Sequence, residues 1–591
     1  MRIEIRLAFV GVAVLLGVAW QLVDGPQTVS ARRVAPQAAG SGQSDPNAVC
    51  APCHQAIYER YRKTPMANAS GLAADGFLPG GFTHAASGVS YRMEEQGGRV
   101  YLKFARPAAA GQPGGSDDRS LNGQRELKYF LGSGKRGRTY LFEQDGYWFE
   151  IPVNWYAKKR VWDMAPNYLD AREMPLTLPV DPGCLRCHTS DAQPSLPQAR
   201  NRYAGAPFLE GGITCTACHG DATAHLASGG RTAMMKIGDL PPVRRDSICL
   251  SCHLEGQEAV VHQGKRLVDF RPGQSIFDYS SYFVRQAQAG SAERAASQWE
   301  ALLQSGCKRG AGDKLTCTTC HDPHGSTAAM SAEERTEFYR AKCLTCHDAG
   351  AAGQTGFAAV HHPENRDCAA CHMPRARAED IAHEQVTDHM IPRVPRVAAG
   401  KNVRQTGDGN GADGALAAIG TAPGAAGDSN SRDLGLAYAF AASRGDRRSG
   451  VRALQLLREA EALPASVGDA ELHAQLGFLE QLTGNQDAAT REYELALDAD
   501  ADDSFAAGNL ALLKAGERQY GAAVQLWQRA FEDDPVQLKA GMNLAIVECG
   551  MGRREAALAT LERILAFSPD HGQARELARG IRLGVHTCGT R

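Results

Sequence analysis

Seven times in this chain two cysteines stand three residues apart with a histidine directly after the second. The copies are Cys50, Cys53 and His54; Cys184, Cys187 and His188; Cys215, Cys218 and His219; Cys249, Cys252 and His253; Cys317, Cys320 and His321; Cys343, Cys346 and His347; and Cys368, Cys371 and His372. Thiols at this spacing lie on one face of a helical turn. Both can add to the two vinyl groups of one haem, and the histidine then sits under the iron as its proximal ligand. Zinc knuckles and dithiol redox motifs also pair cysteines, but neither demands a histidine after the second cysteine in every copy. Seven covalent haem c groups, each with its iron, are therefore expected. The motifs use fourteen of the 17 cysteines and leave Cys307, Cys549 and Cys588 without an assigned role.

The polypeptide that must position these groups is sparse. Seven motifs between His54 and His372 leave roughly 46 residues each, and the last three begin only 26 and 25 residues apart. That is too little chain to bury each haem alone, so neighbouring haems must pack on one another among short helices and loops. Aromatic residues make up only 7% of the 591-residue chain, and the macrocycles can supply the missing core. A formal net charge of -2 shows no global basic footprint, which argues against nucleic acid as a partner.

Around this region the chain divides by pattern. Arg2 and Arg6 precede an apolar run from Leu7 to Trp20, too short for a comfortable span, so residues 1–31 read as a signal peptide or a membrane anchor. Residues 32–46 read as a tether, and 47–394 as the cytochrome part, which lies outside the cytoplasm: periplasmic or extracytoplasmic, with a possible membrane tether. Residues 82–165 carry no motif and read as a β insert. Val89–Met93 and Val100–Phe104 flank Gly97-Gly98, and Thr139–Phe142 and Tyr147–Val153 flank Asp145-Gly146, both hairpin signals. Lys135, Arg136 and Arg138 read as a solvated turn, with haem propionates as the alternative partner. Residues 285–304 have an amphipathic helical pattern, and 395–432 read as a flexible linker and domain boundary.

Residues 433–585 carry a repeat of 34 residues. Leu476, Leu510 and Leu544 keep this period, as do Ala489, Ala523 and Ala557, and Tyr493, Trp527 and Leu561. Small residues where helices cross, with a bulky one a turn later, match the tetratricopeptide repeat. Residues 434–464 read as a degenerate first copy. The expected fold is multidomain: a haem-packed domain of short helices and loops with a small β insert, then an all-α solenoid whose concave face docks a peptide or protein. His473, His571 and His586 read as surface residues of the repeats, and Cys549 as buried in a repeat helix.

Cys317-Thr-Thr-Cys320-His321-Asp322-Pro323-His324 and Asp367-Cys368-Ala-Ala-Cys371-His372-Met373-Pro374 resemble the doubled-CxxCH multihaem cytochromes. The first motif, with Tyr58, Tyr61 and Met66 after it, resembles the opening of the tetrahaem electron carriers of nitrifying bacteria. The resemblance covers residues 48–392. It implies a second, distal histidine on most irons, from His84, His225, His262, His324, His361, His362, His383 and His389. For His262 a solvent-exposed loop position competes. Adjacent His361 and His362 do not serve equally, which leaves seven candidates for seven irons. The resemblance implies electron transfer to and from redox protein partners through low-spin haems. The alternative is a reductase of a small nitrogen or sulfur oxyanion with one open iron; no motif carries lysine in place of the proximal histidine.

Overall fold

The computed structural model describes residues 45–108, 119–197, 199–285, 297–327, 330–347, 367–374, 387–392, 414–419 and 430–589. The N-terminal apolar run, most of the tether, His361, His362 and His383 lie outside the described residues. Among the described residues no helix is long and apolar enough to cross a membrane.

Between the first and second motifs the chain forms an antiparallel sheet, as the hairpin signals predict, but a larger one than 82–165. Its strands are β1 (Ser70–Leu72), β2 (Gly80–Thr83), β3 (Ser90–Gln96), β4 (Arg99–Arg106), β5 (Leu121–Leu131), β6 (Gly137–Gln144), β7 (Tyr147–Glu150), β8 (Val153–Tyr156), β9 (Val161–Met164) and β10 (Leu178–Pro179). The order is β10-β7-β6-β5-β4-β3-β2, with β1 on β5 and the β8–β9 hairpin on β6. Asp145 and Gly146 have φ of 55° and 84°, the left-handed pair that a two-residue hairpin turn requires. Along β4 the side chains alternate: Val100, Leu102 and Phe104 are buried, and Arg99 and Ala105 are exposed. Phe104 lies opposite Gly123 of β5, where a Cβ would stand 2.5 Å from its ring, so this strand position has room only for glycine.

Past the second motif come two small sheets. One pairs β11 (Thr189–Ala192) with β12 (Phe208–Gly211). The other has the order β13 (Glu258–Val261), β14 (Ser280–Arg285), β15 (Leu416–Ala418). This second sheet corrects two expectations. Residues 395–432 are not wholly a linker, because Leu416 and Ile419 are buried and the strand between them completes the sheet. Nor is 285–304 one helix. Arg285 ends β14, and the helix runs Gln298–Gln304, started by a capping box of Ser297 and Glu300. Residues 286–296 lie outside the described residues.

The repeats fold as antiparallel helix pairs at the predicted period: Asn430–Ser443 with Arg447–Glu461, Ala470–Thr483 with Gln486–Ala499, Ser504–Gly516 with Tyr520–Asp533, and Leu538–Gly550 with Arg554–Phe567. A closing helix, Gly572–Arg582, follows. Ala489, Ala523 and Ala557 are fully buried at the crossings, and Tyr493, Trp527 and Leu561 fill the space a turn later. Gly477 allows the close approach, since a Cβ there would stand 2.7 Å from the Tyr493 ring.

The solenoid is fastened to the cytochrome part at both ends. At its start Ser281 of β14 donates to Asp433 (2.8 Å), and Arg285 pairs with Asp446 (2.5 Å). At its end Phe567 enters the core of the large sheet beside Tyr147 and Phe149. There Asp570, 1% exposed in its side chain, accepts from Arg106 Nη1 (2.9 Å) and from the Met174 amide (2.8 Å).

Candidate metal centre

Each motif sits in or at the end of a helical turn, as two thiols on one haem require. The first lies in Ala51–Tyr61, where His54 interrupts the helical dihedrals. The second begins in the short helix Pro182–Leu185, capped by Asp181 onto the Cys184 amide (3.0 Å), and runs on just past its end. The third is the helix Cys215–His219, the fourth ends Pro242–His253, and the fifth is Cys317–Cys320. The sixth ends Ala332–His347, and the seventh is Cys368–His372, capped by Asp367 onto Ala370 (3.0 Å). None of the fourteen motif cysteines takes part in a disulfide.

The motifs meet each other. Cys187 Sγ approaches the Ser251 carbonyl at 3.9 Å, and Cys252 Sγ approaches the Arg186 carbonyl at 3.8 Å, a reciprocal contact between motifs two and four. The thiols of Cys50 and Cys215, of Cys187 and Cys252, of Cys249 and Cys317, and of Cys343 and Cys368 lie close enough to perturb one another. Cys218 lies within electrostatic reach of Cys249 and Cys252. Motif four therefore adjoins motifs two, three and five.

Three candidate distal histidines face a proximal one. The ring centres of His54 and His225 are 6.3 Å apart, those of His219 and His324 are 5.9 Å apart, and those of His321 and His389 are 6.3 Å apart. A first-row metal ion binds an imidazole nitrogen at about 2 Å, so two imidazoles on opposite sides of one ion have ring centres about 6 Å apart. The residues present thus fit an iron between each pair. In every pair the two histidines come from different parts of the chain, so sequence spacing alone could not match them.

The ring nitrogens discriminate further. A metal-bound histidine engages its second nitrogen with a carbonyl or carboxylate. His225 Nδ1 is 2.8 Å from the Thr232 carbonyl, and His389 Nδ1 is 2.8 Å from the Thr387 carbonyl. His324 Nδ1 faces Asp322 at 3.9 Å, and proximal His372 Nδ1 is 2.8 Å from the Pro392 carbonyl. His84 differs: Nδ1 is 2.9 Å from Ser87 Oγ and Nε2 is 2.9 Å from the Leu169 carbonyl, so no nitrogen is left for iron. The expectation that His84 is a distal ligand is corrected; it is a buried histidine of the β unit. His262 spends Nε2 on Ser281 Oγ (2.9 Å) and Asp433 (3.2 Å), joining the cytochrome part to the repeats.

Burial pushes the His219, His253, His321 and His389 imidazoles below their ordinary values. They stay neutral, the form that donates a lone pair to a metal. Glu150, a carboxyl that the motif pattern does not reveal, lies beside Cys184 and is pushed up to about 7 by burial.

Other sequence readings change. Arg138 is not a solvated turn residue: its guanidinium lies 3.9 Å over the Phe130 ring and donates to the Asp75 and Gly76 carbonyls (3.0 and 2.9 Å). His473 is buried, 2.9 Å from Glu492, within a carboxylate cluster that Arg458 neutralises. His571 caps the closing helix by accepting from the Ala574 amide at 3.2 Å. Cys549 forms a disulfide with Cys588. Cys307 lies in the helix Gly306–Ala311, near Cys320 and Cys346.

Residues 310–352 match the family described as the doubled CXXCH motif. The chain joins a CXXCH region to tetratricopeptide-like repeats. The match supports covalently bound haem c and a multihaem c-type cytochrome. No curated protein matches the chain. Among solved structures, MamA of strain AMB-1 is similar over 27% of this chain and 84% of its own, with 25% identity and a TM-score of 0.24. MamA of strain MSR-1 is 25% identical over 27% of this chain and 88% of its own, with a TM-score of 0.23. A Pseudomonas aeruginosa protein, pilF, is 21% identical over 27% of this chain and 70% of its own, with a TM-score of 0.24.

Proposed function

We propose that this chain is an extracytoplasmic electron relay that carries seven covalent haems, most of them held between two histidines. The observation that carries the reading is the set of facing pairs His54–His225, His219–His324 and His321–His389, each at the separation one shared metal ion requires. Haem c bound there supplies reversible one-electron chemistry. The chain's own part is to fix the His225, His389 and His372 imidazoles through their Nδ1 partners and to hold the attachment thiols of neighbouring motifs close to one another. Ligation by two histidines keeps potentials lower than histidine–methionine ligation does. The contacts from motif one to three, three to four, four to two and to five, five to six and six to seven support a continuous path. The Cys549–Cys588 disulfide supports an oxidising compartment outside the cytoplasm. The repeats then dock a redox protein on the surface that their contact with the cytochrome part leaves open.

The test is to express the full chain with a c-type maturation system and measure haem per polypeptide. Seven haems that remain bound after denaturation, and that reduce and reoxidise reversibly, are expected. A chain that takes up zinc and no covalent haem would sink the proposal.

A further inference from the structure

Two turns of the large sheet come together as a basic face. Residues 132–136 join β5 to β6, and residues 157–160 join β8 to β9. The Ala157 amide donates to the Arg136 carbonyl (2.8 Å), and Gly137 and Arg138 pair with Tyr156 and Trp155, so the two turns lie side by side. Lys135 on the first turn and Lys158, Lys159 and Arg160 on the second are exposed.

A cavity of about 400 Å³ opens between the first turn and the segment that leaves the motif-one helix. Lys63, Lys135 and Arg138 line it, and Asp75 is the carboxylate among the described lining residues. Arg138 is 8% exposed, and its guanidinium donates to the Gly132, Asp75 and Gly76 carbonyls rather than to a carboxylate. A buried charge ordinarily meets an opposite one. Among the described residues Lys63, Lys135, Lys158, Lys159 and Arg160 make no ion pair. The chain as a whole carries a formal charge of -2, so this face departs in sign from its surroundings. No motif cysteine or histidine is among the described lining residues, so the cavity is not the slot of a haem ring.

The face adjoins motif one. Arg62, which also lines the cavity, caps the helix Ala51–Tyr61 eight residues after His54, about 12 Å along the axis. Cys53 and His54 are exposed, and motif one ends the series of neighbouring motifs, next to motif three through Cys50 and Cys215.

We propose that this face docks an acidic redox protein, which exchanges electrons with the haem of motif one. The proposal rests on the relay reading and gives it a docking surface separate from the repeats. The exposed cations steer an acidic surface, and the cavity receives a carboxylate that meets Lys63, Lys135 and Arg138. In the inward direction one electron leaves the partner's reduced centre and turns one ferric haem ferrous; no bond forms or breaks.

The test uses the full, haem-loaded chain in stopped flow. A [2Fe–2S] ferredoxin of strongly negative charge is the acidic reductant, and a basic monohaem cytochrome c is the oxidant for the reduced chain. At low ionic strength the wild type should take electrons from the ferredoxin with a second-order rate constant that falls as salt is added. Lys158→Glu with Lys159→Glu, and separately Lys63→Glu with Lys135→Glu, should each lower that constant about tenfold and flatten its salt dependence. The basic cytochrome should react no more slowly with the variants than with the wild type. Equal ferredoxin rates in wild type and variants overturn the proposal, as does a wild-type rate that rises with salt. Haem midpoint potentials that shift in the variants at an unchanged ferredoxin rate also overturn it, and assign the cations to the chain's own propionates. Sedimentation with phosphatidylglycerol vesicles that the variants lose, again at an unchanged ferredoxin rate, overturns it in favour of a membrane surface. A chain without covalent haem, or one that dithionite does not reduce, would instead overturn the relay reading, so the two failures are distinguishable.

Discussion

At the residue scale, chemistry here depends on which nitrogen a histidine has to spare. His84 and His225 are equivalent as letters, but one spends Nε2 on a carbonyl and the other turns Nδ1 to a carbonyl with its ring 6.3 Å from a second imidazole. Titration depends on surroundings in the same way. Glu471, in the second repeat, is pushed up to about 8 by burial, with Asp503 beside it adding to the shift. A carboxyl whose folded value lies above its unfolded one favours folding at low pH, and that contribution is lost as pH rises from the unfolded value through the folded one. The fold should therefore lose stability between about pH 4.3 and pH 8 on account of this group. Glu471→Gln should flatten that slope and raise the melting temperature at pH 8 while leaving it unchanged at pH 4. Thermal unfolding at the two pH values tests this, and equal slopes for both proteins would refute it.

At the element scale, the solenoid is closed by two devices that repeat periodicity does not contain. One is the helix Gly572–Arg582, which buries Ala574, Ala578 and Ile581 against the last pair. The other is the disulfide from Cys549, in the first helix of that pair, to Cys588 beyond the closing helix. Closing a loop of 39 residues restricts the unfolded chain, an effect of about 4 kcal/mol in this size range. Cys588→Ser should lower the stability of the last repeat by about that amount. It should raise hydrogen exchange in Leu538–Gly550 and in the closing helix and leave the large sheet unaffected. Unchanged exchange in those helices would show that packing alone holds the end of the solenoid.

At the scale of the whole molecule, the repeats are part of the cytochrome's own architecture as well as a candidate dock. Arg106 and Asp570 form a buried pair 464 residues apart, and Phe567 completes the core of the sheet between the first two motifs. Breaking a buried pair from one side costs about 3–5 kcal/mol, because the remaining charge is stranded. Asp570→Ala should therefore detach the end of the solenoid. The expected outcome is faster proteolysis after Phe567 and a lower melting temperature for the sheet and the last repeat together, with covalent haem content unchanged. Separate melting of sheet and repeats in the wild type would contradict this coupling.

What the sequence determined by itself was everything local or periodic. The seven Cys-x-x-Cys-His motifs are legible from spacing within a single helical turn, the two hairpins from residues that tolerate left-handed backbone at Gly97-Gly98 and Asp145-Gly146, and the repeats from the recurrence of Ala489, Ala523 and Ala557. What only the tertiary structure decided was every relation between distant residues. Nothing near His225 in sequence marks His54 as its partner 171 residues away, and nothing near His84 shows that a carbonyl of Leu169 will take its Nε2. Short motifs encode bond-length geometry, and a chain carries that in neighbouring residues. The facing imidazoles, the Cys549–Cys588 bond and the Arg106–Asp570 pair arise only when segments far apart pack together, and their separation in sequence carries no trace of it.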